Sequence, residues 1–167
     1  MLARTVLLAL MVINFGIVHI VRADSNDIAP IRNLEEKLAA AIAARNLDAI
    51  MQVYVPDETL FVFDVIPPRQ YVGAKAYRKD WGDFLGSTKG PLKYHITDVA
   101  ISAVGTISYG HSIQHLVATG VKGDPIDLTM RVTDVYRKIK GNWLIVQEHI
   151  SVPVDLDTGT PDFSSRP

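Results

Sequence analysis

The sequence predicts an α+β fold, a cone-shaped roll in which about three N-terminal helices pack on one face of a strongly curved, mainly antiparallel sheet. Two observations predict it. Apolar residues between 30 and 85 recur mostly at three-to-four spacing, whereas residues 92–152 alternate at period two, with turn residues between segments and no intervening helix. With 48% hydrophobic and 21% charged residues in 167, the chain can bury one respectable core, placed at 24–154.

The elements follow in order. Pro30 suits a first helical turn, and Ile31, Leu34, Leu38 and Ile42 define an amphipathic helix over 30–45. Asn46 caps a second, short helix through about Tyr54, with Asp48 in its first turn and Pro56 ending it. "TLFVFDV" is made of strand formers and is broken by Pro67-Pro68. After Gly73 a third helix, roughly 74–85, carries Tyr77, Trp81, Phe84 and Leu85 as an aromatic face. Strands over 92–104, 106–119, 126–140 and 142–152 are joined at Gly105, "GVKGDP" and "KGN". The Pro/Ser/Asp-rich tail, 155–167, is expected to lie extended on the surface or reach to a partner subunit.

Residues 1–23 have the pattern of a secretory leader: Arg4, an apolar run from Thr5 to Val21, then Val21 and Ala23 at small-residue cleavage positions. Periplasmic or secreted location is therefore expected. Asn14 and His19 within the run leave an uncleaved anchor as the alternative. A net charge of −1 gives no basic surface for nucleic acid, and the absence of cysteine removes disulfides and zinc-type cysteine pairs. No phosphate loop or dinucleotide fingerprint appears, so no cofactor is expected.

The last strand, "GNWLIVQEHISVP", raises the functional question. Its alternation seats Gln147, His149 and Ser151 on the face of Trp143 and Ile145. Closing the hairpin at Gly141 sets Ile139 near Trp143, Val135 near Gln147, Thr133 near His149 and Arg131 near Ser151. That face would be apolar near the hairpin and polar at its far end, as a small-molecule cavity is lined. The opposite face, with Val132, Tyr136, Leu144, Val146 and Ile150, is the alternative core. A homodimer formed through the sheet would cover both.

"LFVFDVIPPRQYVGAKAYRKDWGDF" followed by "RVTDVYRKIKGNWLIVQEHISVP" resembles the SnoaL-like branch of the nuclear-transport-factor-2-like superfamily, over roughly 30–154. That superfamily includes ketosteroid isomerases, polyketide cyclases, dehydratases and the kinase association domain. By the resemblance, the isomerase's general-base aspartate lands on Asp64, at a strand end where burial would raise its pKa. The oxyanion-hole tyrosine falls near Leu38 and the protonated acid near Thr133, which argues against steroid isomerisation.

Arg131 offers a fixed positive fork for an oxyanion, and His149 a proton donor or acceptor near neutral pH. The predicted catalytic group is therefore Asp64, Arg131 and His149. The predicted lining is Tyr54, Tyr71, Trp81, His111, His115, Thr133 and Gln147. Plainer roles stand beside these: a cap on the proline turn for Asp64, a salt bridge for Arg131, a backbone-bonded core histidine for His149. His111 and His115 share a strand face but lie roughly 13 Å apart, too far to ligate one ion together, so no metal is expected. The functional expectation is cofactor-free acid–base chemistry, an isomerase, cyclase or dehydratase acting on a small carbonyl-bearing or polycyclic compound. A non-catalytic ligand-binding protein and an assembly module are the alternatives.

Overall fold

The computed structural model describes residues 25–165. The leader and anchor readings fall on residues outside that span. Among the described residues no helix is long and apolar enough to cross a membrane.

Helix α1 (Ser25–Ala43) begins earlier than the spacing predicts, so Pro30 stands inside it and not in its first turn. The missing N–H costs one bond near the helix start, where only one turn precedes it. The helix ends as Arg45 turns left-handed (φ 57°), with the Arg45 and Asn46 amides returning to Ile42 O and Ala41 O at 2.9 Å. Asn46 then caps α2 (Leu47–Met51), its Oδ1 accepting from the Ala49 amide at 3.0 Å.

The remaining elements are β1 (Phe61–Phe63), β2 (Tyr71–Val72), α3 (Ala74–Ser87), β3 (Thr88–Val104), β4 (Ile107–Gly120), β5 (Pro125–Ile139) and β6 (Asn142–Ser151). They form one sheet in the order β2-β1-β6-β5-β4-β3. Of these strands only β1 and β6 pair in parallel. The two-residue β2 was not expected; it is too short for alternation to reveal. α3 passes directly into β3, and the Arg45 guanidinium closes that junction, donating to Thr88 Oγ1 at 2.9 Å, to Thr88 O at 2.8 Å and to Leu85 O. A cation is favourable there because the last helical carbonyls are unpaired.

The helices cover the concave face. Ile31, Leu38 and Ile42 of α1, Ile50 of α2 and Tyr77 of α3 are fully buried against Val62, Val132, Tyr136 and Ile145. Asp27 ties α1 to the β5–β6 hairpin, accepting from Lys138 Nζ at 2.7 Å and Trp143 Nε1 at 3.1 Å.

The β5–β6 register matches the expectation at its far end, where Arg131, Thr133 and Val135 face Ser151, His149 and Gln147. It does not match near the turn: Ile139 pairs with Asn142, and Lys138 with Trp143. A bulge separates the two regions, because Tyr136 faces Ile145 while Val135 faces Gln147, leaving Val146 extra. Trp143 and Ile145 therefore join the core, while Gln147, His149 and Ser151 turn to the outer face.

Gly110 lies in the row that crosses the concave face through Asp134 and Glu148 to Val62. A Cβ there would meet Ala100 O at 3.2 Å and the Tyr136 ring and hydroxyl at 3.3 Å. Neither the strand carbonyl nor the buried ring can retreat easily, so Gly110→Ala is expected to destabilise the fold by about 1–3 kcal/mol, measured as a lower urea midpoint at unchanged slope.

Candidate functional site

Strand parity decides which polar groups reach the interior. In β5, Met130, Val132, Asp134 and Tyr136 are buried, while Arg131, Thr133 and Arg137 are exposed. In β6 beyond the bulge, Glu148 is buried and His149 exposed. Val62 of β1 pairs with Glu148, so Asp64, one strand repeat further on, returns to the same inward side.

Asp64 and Glu148 line one cavity of about 100 Å³ between α3 and the sheet. Glu148, Trp81, Tyr94, Leu116 and Met130 form its buried part. Ile66, about half exposed, stands toward solvent. Asp80 completes the polar lining, and its Oδ1 accepts from the Tyr71 hydroxyl at 2.6 Å.

The carboxyls are buried without bases. Glu148, 2% exposed, accepts from Tyr77 at 2.6 Å and from Tyr54 at 3.0 Å. Directly across the strand pair lies Asp134, 1% exposed. Tyr136 donates to Glu35 Oε1 at 2.7 Å and approaches Asp134 Oδ2 at 3.4 Å. Glu35 Oε2, Asp134 Oδ1 and the Trp81 indole N–H are buried without a partner among the described residues. Tyr94 donates to Gln114, whose amide reaches Ser112 Oγ at 3.2 Å.

Burial disfavours charge, and with so many acids together each also repels its neighbours. Burial, with help from the Asp80 charge, pushes Asp64 up to about 6, although the Val65 amide donates to its carboxylate at 2.6 Å. Burial pushes Glu148 up to about 8 despite its two phenol donors. Glu35 and Asp134 are raised as well, in both cases mainly by burial. At neutral pH, Asp64 is thus mostly an anion and Glu148 mostly a neutral acid. Pairs whose environments separate their pKa values in this way are arranged for acid–base work.

The structure does not bring the predicted catalytic group together. Asp64 reaches the cavity; Arg131 and His149 are exposed on the outer face, with His149 edge-on to Phe63 at 5.4 Å between ring centroids. Thr133, Gln147, His111 and His115 share that outer face, where His115 pairs with Asp127 at 2.8 Å. The physical reason is the Val146 bulge, which changes parity between the two ends of β6. Trp81 lines the cavity; Tyr54 lies behind it as a donor to Glu148, and Tyr71 donates to Asp80.

Sequence reasoning missed Glu35, Asp134 and Glu148. The signal was present in β5, because a face carrying both Arg131 and Arg137 is poorly suited to burial, which leaves Asp134 inside. The resemblance placed a protonated acid near Thr133; the buried acid is the next residue.

The family model described as a SnoaL-like domain matches residues 31–155. No curated protein matches the chain. A protein of unknown function from Pseudomonas putida, described as nuclear-transport-factor-2-like, superposes with a TM-score of 0.78 at 26% identity, covering 87% of this chain and all of that one. A candidate dehydratase of the same family from Streptomyces avermitilis gives 0.66 at 13% identity over 75% of this chain and 95% of that one. A candidate scytalone dehydratase from Novosphingobium aromaticivorans gives 0.66 at 18% over 75% and 83%. The last two likenesses show the fold.

The buried acids set the pH dependence of stability. Glu148 keeps its proton in the folded chain up to about 8, whereas unfolding returns it to its ordinary 4.5. The folded state therefore binds more protons between those values, and stability falls as pH rises through the window and levels above it. Urea melts at pH 5, 6.5 and 8 should show that decline, and Glu148→Gln should flatten it by up to about 1.4 kcal/mol per pH unit.

Proposed function

We propose, from the premise that this chain belongs to the SnoaL-like domain family, that it is a small-molecule enzyme performing acid–base chemistry in the cavity between α3 and the sheet. The reaction is an isomerisation, cyclisation or dehydration of a carbonyl-bearing compound. The supporting observation is the pairing of two carboxyls in one cavity, Asp64 titrating near 6 and Glu148 near 8. Asp64 acts as the base, taking a proton from the carbon beside the carbonyl. Glu148, still protonated, gives a hydrogen bond or its proton to the oxygen on which negative charge develops.

Size narrows the substrate. An apolar cavity of about 150 Å³ takes benzene, so 100 Å³ holds a compact group and not a fused ring system. A polycyclic compound would insert one end only. This favours the small carbonyl compound over the polycyclic one.

We also propose a homodimer through the outer sheet face. Phe61, Phe63 and Val135 remain partly exposed there, and Tyr109 is 56% exposed. The leader pattern of residues 1–23 supports action in the periplasm or outside the cell.

Exchange of α-protons for deuterium in small ketones and enones, followed by NMR, tests the catalytic reading without knowledge of the natural substrate. Wild-type protein should accelerate exchange for at least one compound, with Asp64→Asn reducing the rate about 100- to 10,000-fold. The rate should rise as pH passes about 6 and fall above about 8. Exchange that is identical in wild type and Asp64→Asn would remove Asp64 as the base. Sedimentation should show a dimer that Tyr109→Glu converts to monomer; a monomeric wild type would end the dimer proposal.

A further inference from the structure

The cavity wall is electrically unbalanced. Asp64, Asp80 and Glu148 contribute three carboxyls to it, and no lysine, arginine or histidine is among its lining residues. None of the three forms an ion pair with a described residue. Among the described residues no lysine, arginine or histidine is buried anywhere in the fold. The side chains that reach these carboxyls are phenols, Tyr54 and Tyr77 on Glu148 and Tyr71 on Asp80. A phenol satisfies a carboxylate's lone pairs but brings no positive charge. The rest of the wall is apolar or aromatic, with Trp81, Phe84 and Tyr94 presenting rings.

An anionic occupant would meet repulsion from Asp64 and Asp80. A neutral one would strip water from the carboxylates and return little, and an uncompensated buried carboxylate is costly. A cation returns attraction that the low dielectric strengthens, and it finds aromatic faces as well. Resting on the reading of this cavity as the binding site, we infer that its ligand is a small organic cation: an ammonium, or a charged equivalent, on a compact apolar body.

The inference also supplies what the proposed chemistry lacks. Proton abstraction beside a carbonyl builds negative charge, and here that charge would arise near the Asp80 carboxylate with no lysine, arginine or histidine in the wall to offset it. Arg131, the cation expected to offset it, is on the far side of the sheet. A positive centre on the substrate would be held by Asp80 and Asp64 and would stabilise the developing anion from within the molecule.

Four compounds sharing a tert-butyl group isolate the effect of charge: tert-butylammonium, tert-butanol, pinacolone and pivalate. Each is titrated into nitrogen-15-labelled protein while the Trp81 indole resonance is followed, assigned through Trp81→Phe and Trp143→Phe. The inference requires saturable binding of tert-butylammonium with a Kd at least about tenfold below that of tert-butanol, and no binding of pivalate. Asp80→Asn or Asp64→Asn should erase most of that preference. Equal affinities for the ammonium and the alcohol overturn the inference. So does pinacolone binding more tightly than the ammonium, an outcome that leaves the carbonyl-directed function standing. Failure of all four to move the Trp81 resonance would remove this inference and the cavity's binding role together.

Discussion

The architecture depends on a surplus of buried acid held by phenols. Glu35, Asp134 and Glu148 lie under the helices with no buried base, and Tyr54, Tyr77 and Tyr136 supply the side-chain hydroxyls that reach Glu148 and Glu35. An isolated carboxylate in such surroundings is so unfavourable that the group takes up a proton instead. Glu148 and Asp134, facing each other across one strand pair, cannot both ionise without strong mutual repulsion. The neutral acid next to the cavity is thus a consequence of packing, and the chemistry proposed for it follows from where the strands put it.

A single inserted residue controls which groups join that interior. Val146 interrupts the pairing of β5 with β6, so residues on its two sides follow opposite parities. Without it, the alternation that buries Trp143 and Ile145 would also bury Gln147 and His149, and Glu148 would face outward. The bulge reconciles an apolar hairpin end with an acidic cavity wall.

The fold was legible because period changes are strong signals. Ile31, Leu34, Leu38 and Ile42 announced α1, and the unbroken alternation after residue 92 announced the meander. The position of Asp64 was legible too, since a strand of four apolar residues ending in an acid delivers that acid somewhere specific. The rest of the site was not, because alternation assigns residues to two faces without saying which is inside. Arg131, Thr133 and His149 form a chemically attractive set, and their pairing across the strands was anticipated correctly. Attractive chemistry on the wrong face outweighed the plainer signal that two arginines of β5 share that face. Asp134 and Glu148 look like surface charges in sequence; only tertiary packing, which brings Tyr54 and Tyr77 over Glu148, distinguishes them.

The parallel pairing of β1 with β6 joins an early segment to the last strand of the sheet, and two of the three cavity carboxyls, Asp64 and Glu148, sit at that seam. Pairings between such distant segments form late and slowly. Nascent chain emerging from the ribosome can assemble the helices and the first hairpin, but the pocket does not exist until the C-terminal strand has arrived. A prematurely terminated product lacking β6 would leave Phe61–Phe63 as an unpaired hydrophobic edge, the kind of surface that chaperones and proteases recognise.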